Sequence, residues 1–265
     1  MNSVPLVSVE RVAAGVAVIR LNRQQKKNAL DTAVLKALQT AVQDLSQYFP
    51  DVLAVVLTGA GSTFSAGADI KEMAAGDQGS VLEFIRLGAL IFSELNEMPQ
   101  ATIAAIDGYA VGGGLELALA CDLRVASEHV RLGFPEVGLG GVPGWGGTVR
   151  AQELIGRGHA TKLVLTGELI DADEAYRIGL VNYVVPASGL MEKSLQLAGV
   201  LASKSASALR MAKLALHAAS PYKAGSHAPI EQFANLVCGL TKERHAALSG
   251  FGDGRSHLSS PMKDQ

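Results

Sequence analysis

Apolar positions in this chain change period from segment to segment, and the changes mark its elements. Residues 7–9 and 16–21 are short β-type runs on either side of Ala13, Ala14 and Gly15, the pattern of a hairpin. After Asp31, a residue type that accepts the free N–H groups of a helix start, Val34, Leu35, Leu38, Val42 and Leu45 recur at helical spacing and predict a helix. Residues 52–58 are apolar without alternation, which predicts a strand buried on both faces. Ser80 and Glu83 predict a capping box before a helix carrying Leu82, Ile85, Leu90 and Ile91, which Pro99 ends. Strands at 102–106 and 123–126 follow. Strands and helices thus alternate across short loops, the α/β pattern. Helical spacing returns at 205–219, with Leu209, Leu214 and Leu216, and at 229–248, with Phe233, Leu236, Val237 and Leu240.

The stretch around which the rest is organised is AAIDGYAVGGGLELALACD, residues 104–122. Gly112, Gly113 and Gly114 precede a helical pattern starting at Leu115, and Glu116 lies in its first turn. Glycine permits positive φ and lets a ligand approach the backbone, while a helix start adds unpaired N–H groups and a positive dipole end. Such a place stabilises negative charge on a bound oxygen. Taken alone, the stretch is better read as a glycine-rich turn with a capping carboxylate, so it needs support from elsewhere in the chain.

A second segment, LGFPEVGLGGVPGWGGTVR at 132–150, carries Glu136 twenty residues after Glu116. Gly138 and Gly140 begin a dinucleotide fingerprint, but its third glycine falls on Pro143, so a Rossmann site is rejected. No G-x-S-x-G elbow, Walker loop or histidine pair at metal spacing occurs, and no metal or cofactor is expected.

Composition narrows the remaining classes. With 265 residues, 48% hydrophobic and 18% charged, the chain suits a large core with an appendage, and wholesale disorder is excluded. A formal net charge of −2 gives no electrostatic reason to expect nucleic acid or an anionic membrane as partner. Cys121 and Cys238 are too few for a disulfide framework. Glu10 and Arg11 interrupt the N-terminal apolar residues, and the longest uncharged stretch, 52–68, is broken by small residues. A cytoplasmic location is the expectation.

Five motifs together resemble the crotonase superfamily, the enoyl-CoA hydratase and isomerase group. They are KNAL at 27–30, FSAGADIKEM at 64–73, DGYAVGGGLELALACD at 107–122, FPEVGLGGVPGWGGT at 134–148 and LTGELIDADEAYRIGLVNYVVP at 165–186. The resemblance implies an α/β fold: a crotonase-like superhelix of repeated ββα units over 1–200 and a helical oligomerisation region at 201–250; the tail at 251–265 has little to bury and is expected to be flexible. It implies a homotrimer or dimer of trimers, with the C-terminal helices covering a neighbouring subunit's site. The N–H groups of Ala68 and Gly113 match the family's oxyanion hole, and Glu116 and Glu136 match the two hydratase glutamates. By resemblance Glu116 activates water for attack at C3 and Glu136 delivers a proton to C2, turning a trans-2-enoyl-CoA into a 3-hydroxyacyl-CoA. The CoA thioester is then the substrate, and no separate cofactor is implied.

Lys26, Lys27, Ala66, Asp69, Ile70 and Lys71 match CoA-facing positions, with a solvated surface role the competing reading for the lysines. Gln24 stands where the family often has proline. Trp145 replaces a smaller residue and is expected to reshape the acyl pocket. A Δ3-Δ2-enoyl-CoA isomerase, or a non-catalytic CoA-thioester- or RNA-binding relative, are the alternatives, and fold alone does not separate them.

Overall fold

The computed structural model describes residues 4–219 and 224–252. β1 (Val7–Ala13) and β2 (Gly15–Leu21) form the expected antiparallel hairpin, with Val7 opposite Leu21. α1 (Thr32–Gln47) is capped as expected: the Asp31 carboxylate accepts from the Val34 N–H at 2.8 Å. Its inner face buries Val34, Leu35, Leu38, Val42 and Leu45. β3 (Val52–Gly59) is buried at every position.

The next two helices differ from expectation. α2 (Ile70–Ala75) occupies what looked like a small-residue loop, and the Asp69 side chain caps it. α3 (Gln78–Glu97) is capped by Asp77 and not by Ser80; the Asp77 carboxylate accepts the Ser80 N–H at 2.8 Å. An acceptor three residues upstream captures the N–H that Ser80 itself presents, so the helix starts earlier. Its inner face carries Phe84, Ile85, Ile91, Phe92 and Leu95, while Leu90 points outward.

β4 (Ala101–Ile106), β5 (Tyr109–Val111), α4 (Gly113–Leu119), β6 (Leu123–Ser127) and β7 (Arg131–Gly133) follow in order. α5 (Gly147–Thr166) is broken at Gly156 and precedes β8 (Leu169–Ile170), α6 (Ala172–Arg177), β9 (Tyr183–Val185) and α7 (Leu190–Ala202). The main sheet has the order β1-β2-β3-β4-β6-β9, parallel from β2 onward, and β5-β7-β8 make a second small sheet. One face of the main sheet packs on the core that holds α1, α3 and α4. α7 covers the other face against Val16, Val18, Ala54, Val56, Ile103 and Val125. Burial on both faces is why these strands read as unbroken apolar runs.

α8 (Ala206–Ala219) is tied to the end of α4 by Lys213, whose Nζ donates to Asp122 Oδ2 at 2.8 Å. The helical pattern at 229–248 is two helices, α9 (Ala224–Gly239) and α10 (Lys242–Gly252). Within the chain α9 packs on α3 and α10 on α2. The expected flexible tail lies outside the described residues, apart from its first two positions, which close α10.

Candidate active site

β3 and β4 are adjacent parallel strands, and the loops leaving their carboxyl ends meet. In open parallel sheets this is where ligands bind. The Ser65 N–H donates to Tyr109 O at 3.0 Å and the Val111 N–H to Ser65 O at 3.3 Å, which join the two loops. On the other side the Leu30 N–H donates to Gly67 O and the Asp69 N–H to Leu30 O, both at 2.8 Å. Segment 65–69 is therefore held like a short strand between two neighbours. The Asp69 N–H is used in that pairing and the Gly67 N–H donates to Ser65 Oγ at 3.1 Å, but the N–H of Ala68 itself has no protein acceptor among the described residues.

The N–H of Gly113, first residue of α4, is unpaired in the same way. The two groups are neighbours: a Cβ on Gly113 would lie 3.3 Å from Ala68 N, and one on Gly67 would lie 3.1 Å from Gly113 N. Gly67 at φ +86° and Gly112 at φ +54° take the positive-φ backbone that aims them together.

Glu116, one turn into α4, is buried to 2% exposure. Its Oε1 accepts the N–H of Trp145 at 2.7 Å and of Gly147 at 2.8 Å, leaving Oε2 for another donor. Glu136 sits in a short 3-10 turn at Pro135–Leu139, with Oε1 next to Gly112. Its buried Oε2 has no partner among the described residues. Burial pushes the Glu116 carboxyl well above the usual carboxylate range, and the charges of Glu231 and Glu136 push it further. Burial likewise raises Glu136 to about 7, against the pull of its own backbone N–H and of the Arg244 guanidinium. The sequence motifs thus converge on two adjacent free N–H groups and two buried, proton-retaining carboxyls.

Three side chains that the sequence did not single out fix this place. From α9, Glu231 accepts the Gly146 N–H at 2.8 Å and Asn235 Nδ2 donates to Val142 O at 3.0 Å. From α10, Arg244 Nη1 donates to Leu139 O at 2.9 Å. No local signal announced them. The apolar spacing marked Phe233, Leu236, Val237 and Leu240, of which Leu236 is half-buried and the others exposed, whereas Glu231 and Asn235 are buried. A cavity of about 320 Å³ adjoins the loop, walled by Met73, Val81, Ile85, Leu236, Arg244 and Leu248.

The remaining candidates divide. The Ala66 N–H donates to Lys27 O at 2.9 Å, which sets Lys27 beside Ala66. Lys26, Lys27 and Lys71 are exposed, and Ile70 opens α2 half-buried. Asp69 is already engaged: it caps α2 and pairs with Arg23 at 2.7 Å. Burial works against its charge, but Arg23 and the helix N–H groups outweigh it and hold the carboxyl below its usual range. Arg23, which also pairs with Asp31 at 2.9 Å, was not anticipated.

The indole of Trp145, expected at the acyl pocket, is buried edge-on to Phe84 and Phe92 with centroids 5.4 and 5.2 Å away. Glycines at 88 and 113 leave the room it fills, since a Cβ on either would overlap it.

Among the described residues no group of three His, Cys, Asp or Glu side chains is arranged to hold a metal ion, and no helix is long and apolar enough to cross a membrane.

Residues 11–245 match the family model described as enoyl-CoA hydratase/isomerase. The chain is 40% identical over 237 residues to the short-chain-enoyl-CoA hydratase of Clostridium acetobutylicum, covering 89% of this chain and 90% of that one. It is 38% identical over 240 residues to the 2,3-dehydroadipyl-CoA hydratase of Escherichia coli, covering 89% and 91%. The crystal structure of enoyl-CoA hydratase from Bacillus anthracis superimposes with a TM-score of 0.80 at 38% identity, over 94% of this chain and 97% of that one. With fold, motifs and relatives in agreement over nine-tenths of its length, this chain belongs to the enoyl-CoA hydratase/isomerase family of the crotonase superfamily.

Proposed function

We propose that the protein adds water to a trans-2-enoyl-CoA, giving the 3-hydroxyacyl-CoA, and that Glu116, Glu136 and the N–H groups of Ala68 and Gly113 carry the reaction. The observation that carries this reading is the convergence of two buried carboxyls on two adjacent unpaired N–H groups. The thioester oxygen accepts both N–H bonds, and negative charge that develops there as the enolate forms meets donors already aimed at it. Glu116, its Oε1 held by two backbone N–H groups, uses Oε2 to orient a water and takes its proton as the oxygen bonds to C3. Glu136 gives a proton to C2, so the elements of water are added and no charge is left over.

Burial raises the proton affinity of both acids, so the pair holds protons at pH values where exposed carboxyls have lost them. The apolar cavity walled by Met73, Val81 and Leu236 receives the acyl chain, and the exposed Lys26, Lys27 and Lys71 meet the phosphates of CoA.

Loss of the ultraviolet absorbance of crotonyl-CoA on addition of the enzyme, and near silence of Glu116→Gln, is the expected result. A folded wild type that leaves crotonyl-CoA and longer 2-enoyl-CoAs untouched overturns the reading and makes a 3-enoyl-CoA the next substrate.

A further inference from the structure

Four consecutive backbone N–H groups, those of Trp145, Gly146, Gly147 and Thr148, are divided between two carboxylates. Glu116 Oε1 takes Trp145 and Gly147, at 2.7 and 2.8 Å. Glu231 takes Gly146 through Oε2 at 2.8 Å and Thr148 through Oε1 at 3.2 Å, and the Thr148 hydroxyl also donates to Oε1. The chain here enters α5 through Gly146 at φ +96°, so neighbouring peptides present their N–H groups in alternation to the two acids. Each acid therefore fixes the backbone that the other binds. Glu231 is buried to 4% exposure and comes from α9.

We infer that Glu231 is a positioning residue for Glu116: through the backbone of residues 145–148 it holds the Glu116 carboxylate in the orientation that receives water. This rests on the reading of Glu116 as the base of the hydration. A buried acid placed only to stabilise the fold would be better replaced by an apolar side chain, because burying its charge is costly. Here the cost is met in a way that serves the site. Glu231 accepts three donors that α5 leaves unpaired at its start, and Arg150 of α5 is close enough to offset part of the charge.

The same arrangement couples the acids electrostatically. Glu116 is faced by Glu136 from the 3-10 turn, by Arg150 from α5 and by Glu231 from α9; Glu136 is faced by Arg244 from α10. Glu153 and Cys121 stand near Arg150. Among these, Glu231 adds negative charge beside both Glu116 and Glu136 and raises the proton affinity of each. Removing that charge lets Glu116 ionise at lower pH.

The test is steady-state hydration of crotonyl-CoA by wild type, Glu231→Gln, Glu231→Ala and Glu116→Gln, from about pH 5.5 to 9, with circular dichroism to score folding. Glu231→Gln, nearly the same shape, is expected to keep its fold and KM and to lose about 10- to 100-fold in kcat, the scale of a misoriented catalytic group. The acid limb of its kcat profile moves to lower pH, a shift that a structural residue remote from the acids does not produce. Should the Glu231 variants fail to fold, Thr148→Ala, which deletes one donor and keeps the charge, is expected to lower kcat about threefold with the limb unmoved. Wild-type kcat and an unmoved limb in folded Glu231→Gln, or unchanged kcat in Thr148→Ala when that variant is the one read, overturns the proposal. A loss that merely follows the unfolded fraction overturns it too. A silent wild type overturns the hydratase reading and the proposal with it, and is told apart because Glu231 then has no activity to modulate.

Discussion

The indole of Trp145 occupies the space where a side chain at Gly113 would begin, while the backbone N–H of Trp145 donates to Glu116 Oε1 at 2.7 Å. One residue thus touches both halves of the site. Its ring backs the glycine whose N–H faces Ala68, and its backbone holds the carboxylate.

Replacing Trp145 by alanine is therefore expected to act through support and not through chain length. Removing a buried tryptophan costs about 3–5 kcal/mol of stability. The expected signature is a lower denaturation midpoint and a lower kcat, with the ratio of kcat/KM for crotonyl-CoA to that for longer enoyl-CoAs unchanged. A strong gain for longer chains would show that the indole bounds the acyl pocket after all.

Gly113→Ala tests the same contact from the other side. The added methyl would overlap the indole and approach Ala68 N to 3.3 Å, so the helix start must shift and the pair of N–H groups separates. Loss of one donor to a developing oxyanion typically lowers kcat about 10²- to 10³-fold, and that is the expectation here, with little change in KM. Gly138→Ala, where an added Cβ meets nothing within 4 Å, is the matched control and should stay near wild type.

Stability should fall as pH rises through neutrality. Burial, partly offset by Arg244, raises Glu136 from 4.5 to about 7, so the folded chain binds this proton more tightly than the unfolded chain. That contribution is complete below about pH 4.5 and lost as pH passes about 7, and the interval corresponds to about 3 kcal/mol. Urea melts of wild type and Glu136→Gln at pH 5 and pH 8 check it. The variant is expected to lose less stability between the two pH values; parallel curves would show that Glu136 titrates normally in the fold.

Lys213→Met is expected to destabilise without touching chemistry. It removes the donor at 2.8 Å from Asp122 and leaves that carboxylate in its largely buried place against Thr102. Breaking a buried pair from one side costs about 3 kcal/mol. Lys213→Met combined with Asp122→Asn should recover part of the loss in thermal melts, and a double variant no more stable than the single would show that the pair's charge is irrelevant.

Much of the fold is written locally. The hairpin, the Asp31 cap and the all-apolar β3 need only propensity and short spacing, and each stands where the pattern puts it, while α4 starts two residues before the expected Leu115, at Gly113. The capping of α3 was misplaced by three residues because two acceptors compete within one turn, and only the backbone geometry decides between Asp77 and Ser80.

The site was legible in its residue types and not in its supports. Gly113, Glu116 and Glu136 stand out in glycine-rich stretches, and the family resemblance added Ala68 and joined the four into a set. Their proximity, the freedom of the two N–H groups and the burial that retains protons on both acids depend on loops from two parallel strands meeting, which is a tertiary fact. In α9 the apolar spacing marks Phe233 and Val237, which are exposed in the single chain, and Leu236, which is half-buried, while the buried Glu231 and Asn235 lie outside that pattern. Periodicity finds the helix surface that water rejects; it has no means of finding a polar side chain whose burial is stabilised by backbone donors almost ninety residues away in sequence. Sequence by itself determined the elements and the acids, and the tertiary structure decided which N–H groups stay free and what holds each carboxylate in place, because a hydrogen bond between distant segments has no local signature.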